Sequence, residues 1–409
     1  MKESGKLLEI FACAVKIRKA SGITFVTLRH SKYFYQGVYI PDVCATSISE
    51  LCEGAYIKAA VCVKEEKRAP HGFELTIKDF DILSKPSEDY PISISQPIAS
   101  ATLEERISNR TVSIRHPYEN AIFIIRSVIE NAFSDFMQSL DFINIRTPKI
   151  IDKNTTADTG YISVRYFDKD ATLTSSPALY KIMSMAGFDR VYECGAGYSG
   201  VNKNSLRHLN EYTRLDFQMA YGTSVDAQEL IKSFISYLTD RLNTNAKDAL
   251  SSLDAKLPGY DNIMSLTFDA AMEITQKHNQ YDLDPSDEAR LCDYAKKSSG
   301  SDYIIITDFP DNKRPFYEKD GSGFCLLSGG IEIASGGESI SSYNEQIEKI
   351  AKRGLCEECF ASFLSSHKGG LAPSCGVGFG LERLMMSLLK LSNIREATLF
   401  TRDLHHITP

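Results

Sequence analysis

The chain has no excess of positive charge. Its 46 lysines and arginines stand against 53 aspartates and glutamates, for a formal net charge of −7. A nucleic-acid partner would therefore have to meet a local basic surface, not an overall positive field. No apolar run approaches the length of a membrane span, so no membrane contact is expected. The opening "MKESGKLLEIF" lacks a signal-peptide layout. Low-complexity tracts and internal repeats are missing as well. Ten cysteines are scattered, and only Cys356 and Cys359 lie close together. One CxxC with no second pair is weak evidence for zinc and reads as plain structural thiols. Scattered free thiols suit a reducing compartment, so a cytoplasmic protein is expected.

What is present is an ordinary globular composition, 43% hydrophobic and 24% charged, and 409 residues suggest two or three domains. Residues 8–84 hold five short β-rich runs: "LLEIFACAVKI", "ITFVTLR", "FYQGVYI", "YIKAAVCVKE" and "FELTIKDFDIL". Turn residues separate them, which predicts a small barrel or sandwich, the OB type among them. "SKPSEDYPISISQP" (84–97) carries three prolines and reads as a linker. In 120–142, Ile125, Val128, Ile129, Ala132, Phe133, Phe136 and Leu140 recur at helical spacing. "FINIRTPKI" then reads as extended. From 160 onward strands and helices mix without a βαβ rhythm, which predicts an α+β domain on an antiparallel sheet.

The missing basic surface is found locally. Over residues 1–40, Lys2, Lys6, Lys16, Arg18, Lys19, Arg29 and Lys32 face only Glu3 and Glu9, a balance of +5. Phe11, Phe25, Tyr33, Phe34 and Tyr35 are interleaved with them. Basic groups attract phosphate and exposed rings stack on unpaired bases. The competing reading has the rings filling the barrel and the charges solvating its outside.

Three stretches carry chemistry. In "GVGFGLERLMMSLL" (376–389), glycines at 376, 378 and 380 permit close ligand approach before Glu382 and Arg383 open an amphipathic helix. In "GGIEIASGGES" (329–339), Glu332 and Ser335 sit among glycines and could bind a metal ion or an amine. "YECGAGYSGVNKNSLRHLNEYTRLDFQ" (192–218) ends as a polar strand facing a ligand, yet its entrance has no arginine.

In this order, with "IRTPKI" upstream, these stretches resemble the three signature motifs of class II aminoacyl-tRNA synthetases. The aspartyl/asparaginyl branch is the nearest, and within it the short archaeal- and eukaryote-like aspartyl enzymes. "SNRTVSIRHPYENAIFIIRS" is similar to the entry of motif 1, and Pro148 matches the motif 1 proline. "LTSSPALYKIMSMAGFDRVYE" resembles the family's "QSPQLYKQ…GFDRVFE". "RPFY" (314–317) and "GLERLMMSLLKLSNIREATLFTRDLHHITP" also resemble family text.

The resemblance implies an OB-fold anticodon-binding domain over 1–90, a linker over 91–112 and a class II catalytic-like domain over 113–409, its antiparallel sheet flanked by helices. It implies a homodimer that uses ATP and Mg²⁺ to form an aminoacyl-adenylate and then charges tRNA of the Asp or Asn type. Phe25, Arg29 and Gln36 fall at the family's anticodon-reading positions, with His30 where the family usually has aspartate. His208 and Tyr212 match its ATP-holding residues, and Arg383 its motif 3 arginine. Glu332 and Ser335 match metal and phosphate contacts. Lys181 and Asp216 match the amino-acid pocket.

Other family positions carry different residues. Where the family opens motif 2 with Phe-Arg-x-Glu, this chain has Tyr198, Ser199, Gly200 and Val201. The arginine there grips the α-phosphate and the attacking carboxylate, so Ser199 stands in a catalytic position without a cation, and Lys203 in the loop is a weak substitute. Ser339 replaces the arginine of "SGAQR" that holds the substrate carboxylate. Cys325 replaces an acidic metal ligand and Ser175 a substrate-contacting glutamine. Ala372-Pro373-Ser374 replaces "PPH", and Thr156-Ala157-Asp158 an amine-binding Glu-Gly-Gly. Three readings follow: a working aspartate–tRNA ligase with a divergent site, a non-catalytic relative that binds tRNA or a protein partner, and an enzyme that activates a different amino acid or adenylates a small molecule.

Overall fold

In the computed structural model, which describes residues 5–155, 160–203, 205–277 and 281–408, the chain forms two compact units that divide between Ile124 and Ile125. Thr156, Ala157 and Asp158 lie outside the described residues.

The first unit holds a closed five-stranded barrel: β1 (Leu7–Ala20), β2 (Ile23–His30), β3 (Tyr33–Tyr39), β4 (Tyr56–Glu65) and β5 (Phe73–Ser84), in the order β1-β2-β3-β5-β4. These are the five β-rich runs of the sequence. Alternation along β2 sends Thr24, Val26 and Leu28 inward, leaving Phe25, Thr27 and Arg29 on the outside. The barrel core is aliphatic, with Leu28, Ile57, Val61, Leu75 and Ile77 fully buried. Closure removes sheet edges that would invite aggregation.

Segment 91–112 packs against the barrel. Ile92 and Ile94 are buried, and Ile94 packs with Cys13 and Val15. Two short helices follow, Leu103–Ser108 and Arg110–Ser113, the first opened by a capping box of Thr102 and Glu105. Glu119, fully buried, accepts from both Arg106 and Arg110 and pins these helices to the start of the next. That next helix runs Pro117–Ser139, about one turn earlier than the 120–142 periodicity suggests. Pro117 suits a first helical turn, where its missing N–H has no partner to lose. Asp141, with φ 61°, turns the chain just past the helix end.

The second unit contains two sheets. Strand β6 (Ile143–Asn144) edges the larger one; β7 (Ile150–Asp152), β8 (Ile162–Tyr166) and β9 (Lys169–Leu173) form the smaller, ordered β7-β9-β8. The larger continues with β10 (Arg190–Tyr198), β11 (Glu211–Ala220), β12 (Met264–Thr267), β13 (Tyr303–Thr307), β14 (Phe324–Ser328), β15 (Ile331–Ser339) and β16 (Ser374–Gly380). Its order is β12-β13-β14-β15-β16-β11-β10-β6. All its pairs are antiparallel except β12/β13 and β6/β10. One face is closed by helices: Phe133 of the long helix and Phe234 of helix Ser224–Asn245 pack edge-on with Phe379. The other face is left for the site.

Candidate functional site

Strand parity builds the site. On β11, Leu215, Phe217 and Met219 face the helices, so Tyr212, Arg214, Asp216 and Gln218 point the other way. Opposite them on β16 stand Gly376, Gly378 and Gly380. Beyond these, β15 contributes Ser335, Gly337 and Ser339. The result is a floor of glycines and small hydroxyls with one charged stripe running across it.

Two cavities lie on this floor. The first, about 190 Å³, is lined among others by Ser199, His208, Tyr212, Glu332 and Arg383. The second, about 80 Å³, is lined among others by Lys181, Asp216, Gln218, Glu318 and Ser339. It is the smaller of the two. Arg214, Ser335 and Gly378 line both cavities.

In the first cavity Arg383 donates to the Glu332 carbonyl at 3.3 Å, and the Tyr212 hydroxyl to the Ser175 carbonyl at 3.0 Å. His208 pairs through Nδ1 with the Ser205 hydroxyl at 2.6 Å. Partial loss of solvent, then the charges of Arg383, Lys203 and Arg207, hold its imidazole below the ordinary range. Glu332 is pushed up by burial, against the pull of Arg383 and Arg314, and Ser335 hydrogen-bonds it. Ser199 offers only a hydroxyl, Val201 is exposed, and so is Lys203 out in the loop.

Among the described residues no group of three or more His, Cys, Asp and Glu could hold a metal ion. Glu332 and Ser335 are nevertheless both hard oxygen donors, and Mg²⁺ typically takes one or two carboxylates, with water and substrate phosphates completing its shell. The pair fits that cation. Cys325, opposite Ser335 on β14, adds nothing, because burial pushes its thiol well above the usual range and keeps it protonated.

In the second cavity Asp216 is 1% exposed and carries two cations. Lys181 donates to it at 2.8 Å and also to the carbonyls of Phe217 and Val377 at 3.1 and 3.2 Å. Arg214 grips the same carboxylate with Nε at 2.8 Å and Nη2 at 3.1 Å. Burial alone would raise Asp216, but the Arg214 and Lys181 charges outweigh it and hold the carboxyl below its usual range. A second buried pair, Arg314 and Glu318, meets at 2.6 and 2.9 Å. The far end is neutral: Gln218 donates to both Ser339 and Ser374 at 2.9 Å.

The residues singled out in the sequence thus divide. Arg383, Ser199, His208, Tyr212, Glu332 and Ser335 share one cavity, while Lys181, Asp216 and Ser339 share the next, with Ser335 at the boundary. Ser175 is the exception: it lines a third cavity of about 460 Å³ beside Tyr180, Phe316 and Phe363, which shares Arg314 and Tyr317 with the second, and its carbonyl accepts from Tyr212. Glu382, next to Arg383, has a scaffold role. It is 2% exposed, accepts from the Thr213 amide at 3.0 Å, and pairs with Arg126 of the long helix at 2.9 Å. Sequence reading missed Arg214, Gln218 and Glu318. The signal for the first two was in "YTRLDFQ": once Asp216 faces the ligand, period two puts Arg214 and Gln218 there as well.

On the barrel, Phe25 lies under the Arg18 guanidinium, 4.6 Å from the ring centroid. A groove of about 150 Å³ on that outer face is lined by Lys16, Arg18, Phe25, Thr27, Phe34 and Gln36, among others. Gln36 donates to Glu74 at 3.2 Å, and Arg29 reaches the Tyr56 hydroxyl at 3.5 Å.

Comparison with known proteins agrees with this architecture. Residues 102–404 match the family described as tRNA synthetases class II (D, K and N). An aspartate–tRNA(Asp/Asn) ligase of Methanoculleus marisnigri is 32% identical, with 96% of this chain and 92% of that protein covered. The enzyme of that name from Aeropyrum pernix is also 32% identical, over 100% and 97%. In fold, the chain is similar to asparaginyl-tRNA synthetase from Pyrococcus horikoshii in complex with asparaginyl-adenylate, with a TM-score of 0.90 at 21% identity over 99% of this chain and 97% of that one. Aspartyl-tRNA synthetase from Entamoeba histolytica gives 0.85 at 23% identity, covering 99% and 90%. A five-stranded barrel, a glycine-floored antiparallel sheet and relatives aligned over nearly the whole length place the chain in the class II tRNA synthetases, in their aspartyl/asparaginyl branch.

Proposed function

We propose that this protein activates an amino acid with ATP and transfers it to tRNA, as an aspartyl-tRNA synthetase-like ligase. The observation that carries the reading is the pair of adjoining cavities on the open face of β11, β15 and β16. One offers an aromatic ring, an imidazole and Arg383 to a nucleotide; the other offers a small, charge-paired recess to an amino acid.

The roles of individual residues follow from that placement. Tyr212 and Arg383 flank the nucleotide base, and His208 stands at the mouth near the phosphates. Glu332 and Ser335 hold Mg²⁺, which neutralises phosphate charge when bound. Lys181 and Asp216 set the polarity of the amino-acid recess. Holding both substrates in line converts a bimolecular encounter into an intramolecular one, which supplies much of such a rate enhancement. The barrel's outer face, with Phe25, Arg29 and Gln36, takes the anticodon of an Asp- or Asn-type tRNA by stacking and phosphate attraction. Ten free thiols suit the cytosol, and segment 108–127 makes the contact of a homodimer.

The test is aminoacylation itself: purified chain, ATP, Mg²⁺, labelled aspartate and a tRNA(Asp) transcript. Accumulation of acid-precipitable label supports the reading. Labelling with another amino acid only would retain the chemistry and replace the substrate. A second reading, binding of tRNA without charging it, is favoured by one observation: neither Ser199 nor Ser339 brings a cation to the cavities. Tight tRNA binding with no labelling by any amino acid would establish it.

A further inference from the structure

Arg214 stands where two substrates would have to meet. Of the three residues that line both cavities, Ser335 and Gly378 are uncharged, and Arg214 is the one cation. Its Nε and Nη2 are fixed on Asp216, while Nη1 donates to no described residue. Its side chain keeps 23% of its exposure. The guanidinium packs against Gly378, where a Cβ would come within 2.0 Å of Nη2, so that position has room for the arginine only as glycine. Asp216, itself buried, holds two donors of the fork, and the residue they belong to lines both cavities.

In adenylate formation, a carboxylate oxygen of the amino acid forms a bond to the α-phosphorus of ATP. The bond from that phosphorus to the β-bridging oxygen breaks, and pyrophosphate leaves with the electron pair. No proton is transferred. The attacking carboxylate gives up charge as it bonds, but it must first approach the anionic oxygens of the α-phosphate, so a cation is needed at the boundary between nucleotide and amino acid. Ser199 lines the nucleotide cavity at the mouth of the β10–β11 hairpin and cannot supply a cation there. Arg214 lies on the same hairpin four residues beyond Asn210, the partner of Ser199, about 13 Å along the strand at ~3.3 Å per residue. Both residues line the nucleotide cavity.

We propose that Arg214 is a catalytic residue of this chain, holding the α-phosphate and the attacking carboxylate through its free Nη1 edge and so doing from inside the sheet what Ser199 cannot do from the loop. The assignment rests on the adenylate-forming function proposed above.

The experiment is ATP–pyrophosphate exchange on the full chain, with aspartate first and then each standard amino acid. Arg214→Met should lower kcat by about 10²–10³-fold, the loss typical of one preorganised donor. Adding Ser199→Arg to that variant should restore about tenfold or more of the lost rate, because both positions serve one phosphate. Adding Ser339→Arg instead should restore nothing. If Arg214→Met fails to fold, Arg214→Lys carries the test: one ammonium cannot clamp Asp216 and reach the junction together, so kcat should fall about tenfold with unchanged thermal stability. Exchange by the wild type that survives these substitutions, or rescue by Ser339→Arg alone, overturns the role of Arg214. Exchange by the wild type with no amino acid overturns the adenylate-forming function, and this assignment falls with it.

Discussion

Asp216 is the residue on which the site's electrostatics turn. It is the shared anion of two cations, one of them, Lys181, 3% exposed. Replacing it by asparagine leaves both charges without a counter-ion, and removing one partner of a buried ion network costs about 3–5 kcal/mol. Urea denaturation of Asp216→Asn should show a loss on that scale; a loss below about 1 kcal/mol would contradict the buried network. Glu288 makes a second residue-level prediction. Burial, reinforced by the charge of Glu332, raises its carboxyl from 4.5 to about 7, despite the Arg207 guanidinium at 2.7 Å. Between those pH values the folded chain holds a proton that the unfolded chain has released. The stabilisation is therefore present below pH 4.5 and lost as pH rises through 7, on the order of 3 kcal/mol in all. Glu288→Gln should remove that fall when unfolding free energies at pH 5 and pH 8 are compared; identical pH dependence in wild type and variant would rule the shift out. At this scale legibility was uneven. Lys181, Asp216, His208 and Arg383 could be placed because motif spacing ties them to elements. Arg214 and Glu318 could not, because no motif marks them and their meaning comes from which cavity the sheet turns them toward.

The element that makes the floor is β16, with β15 beside it. Their glycines act as spacers between the strands. A Cβ at Gly336 would sit 2.4 Å from the Gly376 carbonyl oxygen, a backbone atom that cannot swing away. At Gly380 the nearest atoms are 3.8 Å off. Overpacking typically costs about 1–3 kcal/mol, so Gly336→Ala should lower stability by that amount while Gly380→Ala stays near the wild type. Equal melting temperatures for the two variants would show that the strands can move apart. Strands and long helices were legible because periodicity needs only local sequence: all five barrel runs became strands, and the 120–142 stripe became a helix displaced by about one turn. The helices at 103–113 were not. "LEERIS" and "RTVS" are too short for a periodic signal, and Glu119, which fixes them, lies outside both.

At the scale of the molecule, the chain joins a barrel with a basic, ring-bearing outer face to a sheet whose open side carries two adjoining cavities. Truncating Phe25 should separate the two activities. One stacked base contributes about 1–3 kcal/mol, so Phe25→Ala should weaken tRNA binding by about 10- to 100-fold and leave amino-acid activation unchanged. Equal loss of both would mean that the ring supports the fold, not the RNA. The α+β class and the barrel could be read early because composition, strand spacing and motif order all point one way. Whether the altered positions still support chemistry could not, since motif spacing does not tell which cations the sheet turns toward them. The most direct measurement is ATP–pyrophosphate exchange by the unmodified chain across the standard amino acids. Exchange that depends on one amino acid, aspartate first among them, is the result expected of the paired cavities. A chain that binds tRNA tightly but exchanges with none would contradict the account at its centre.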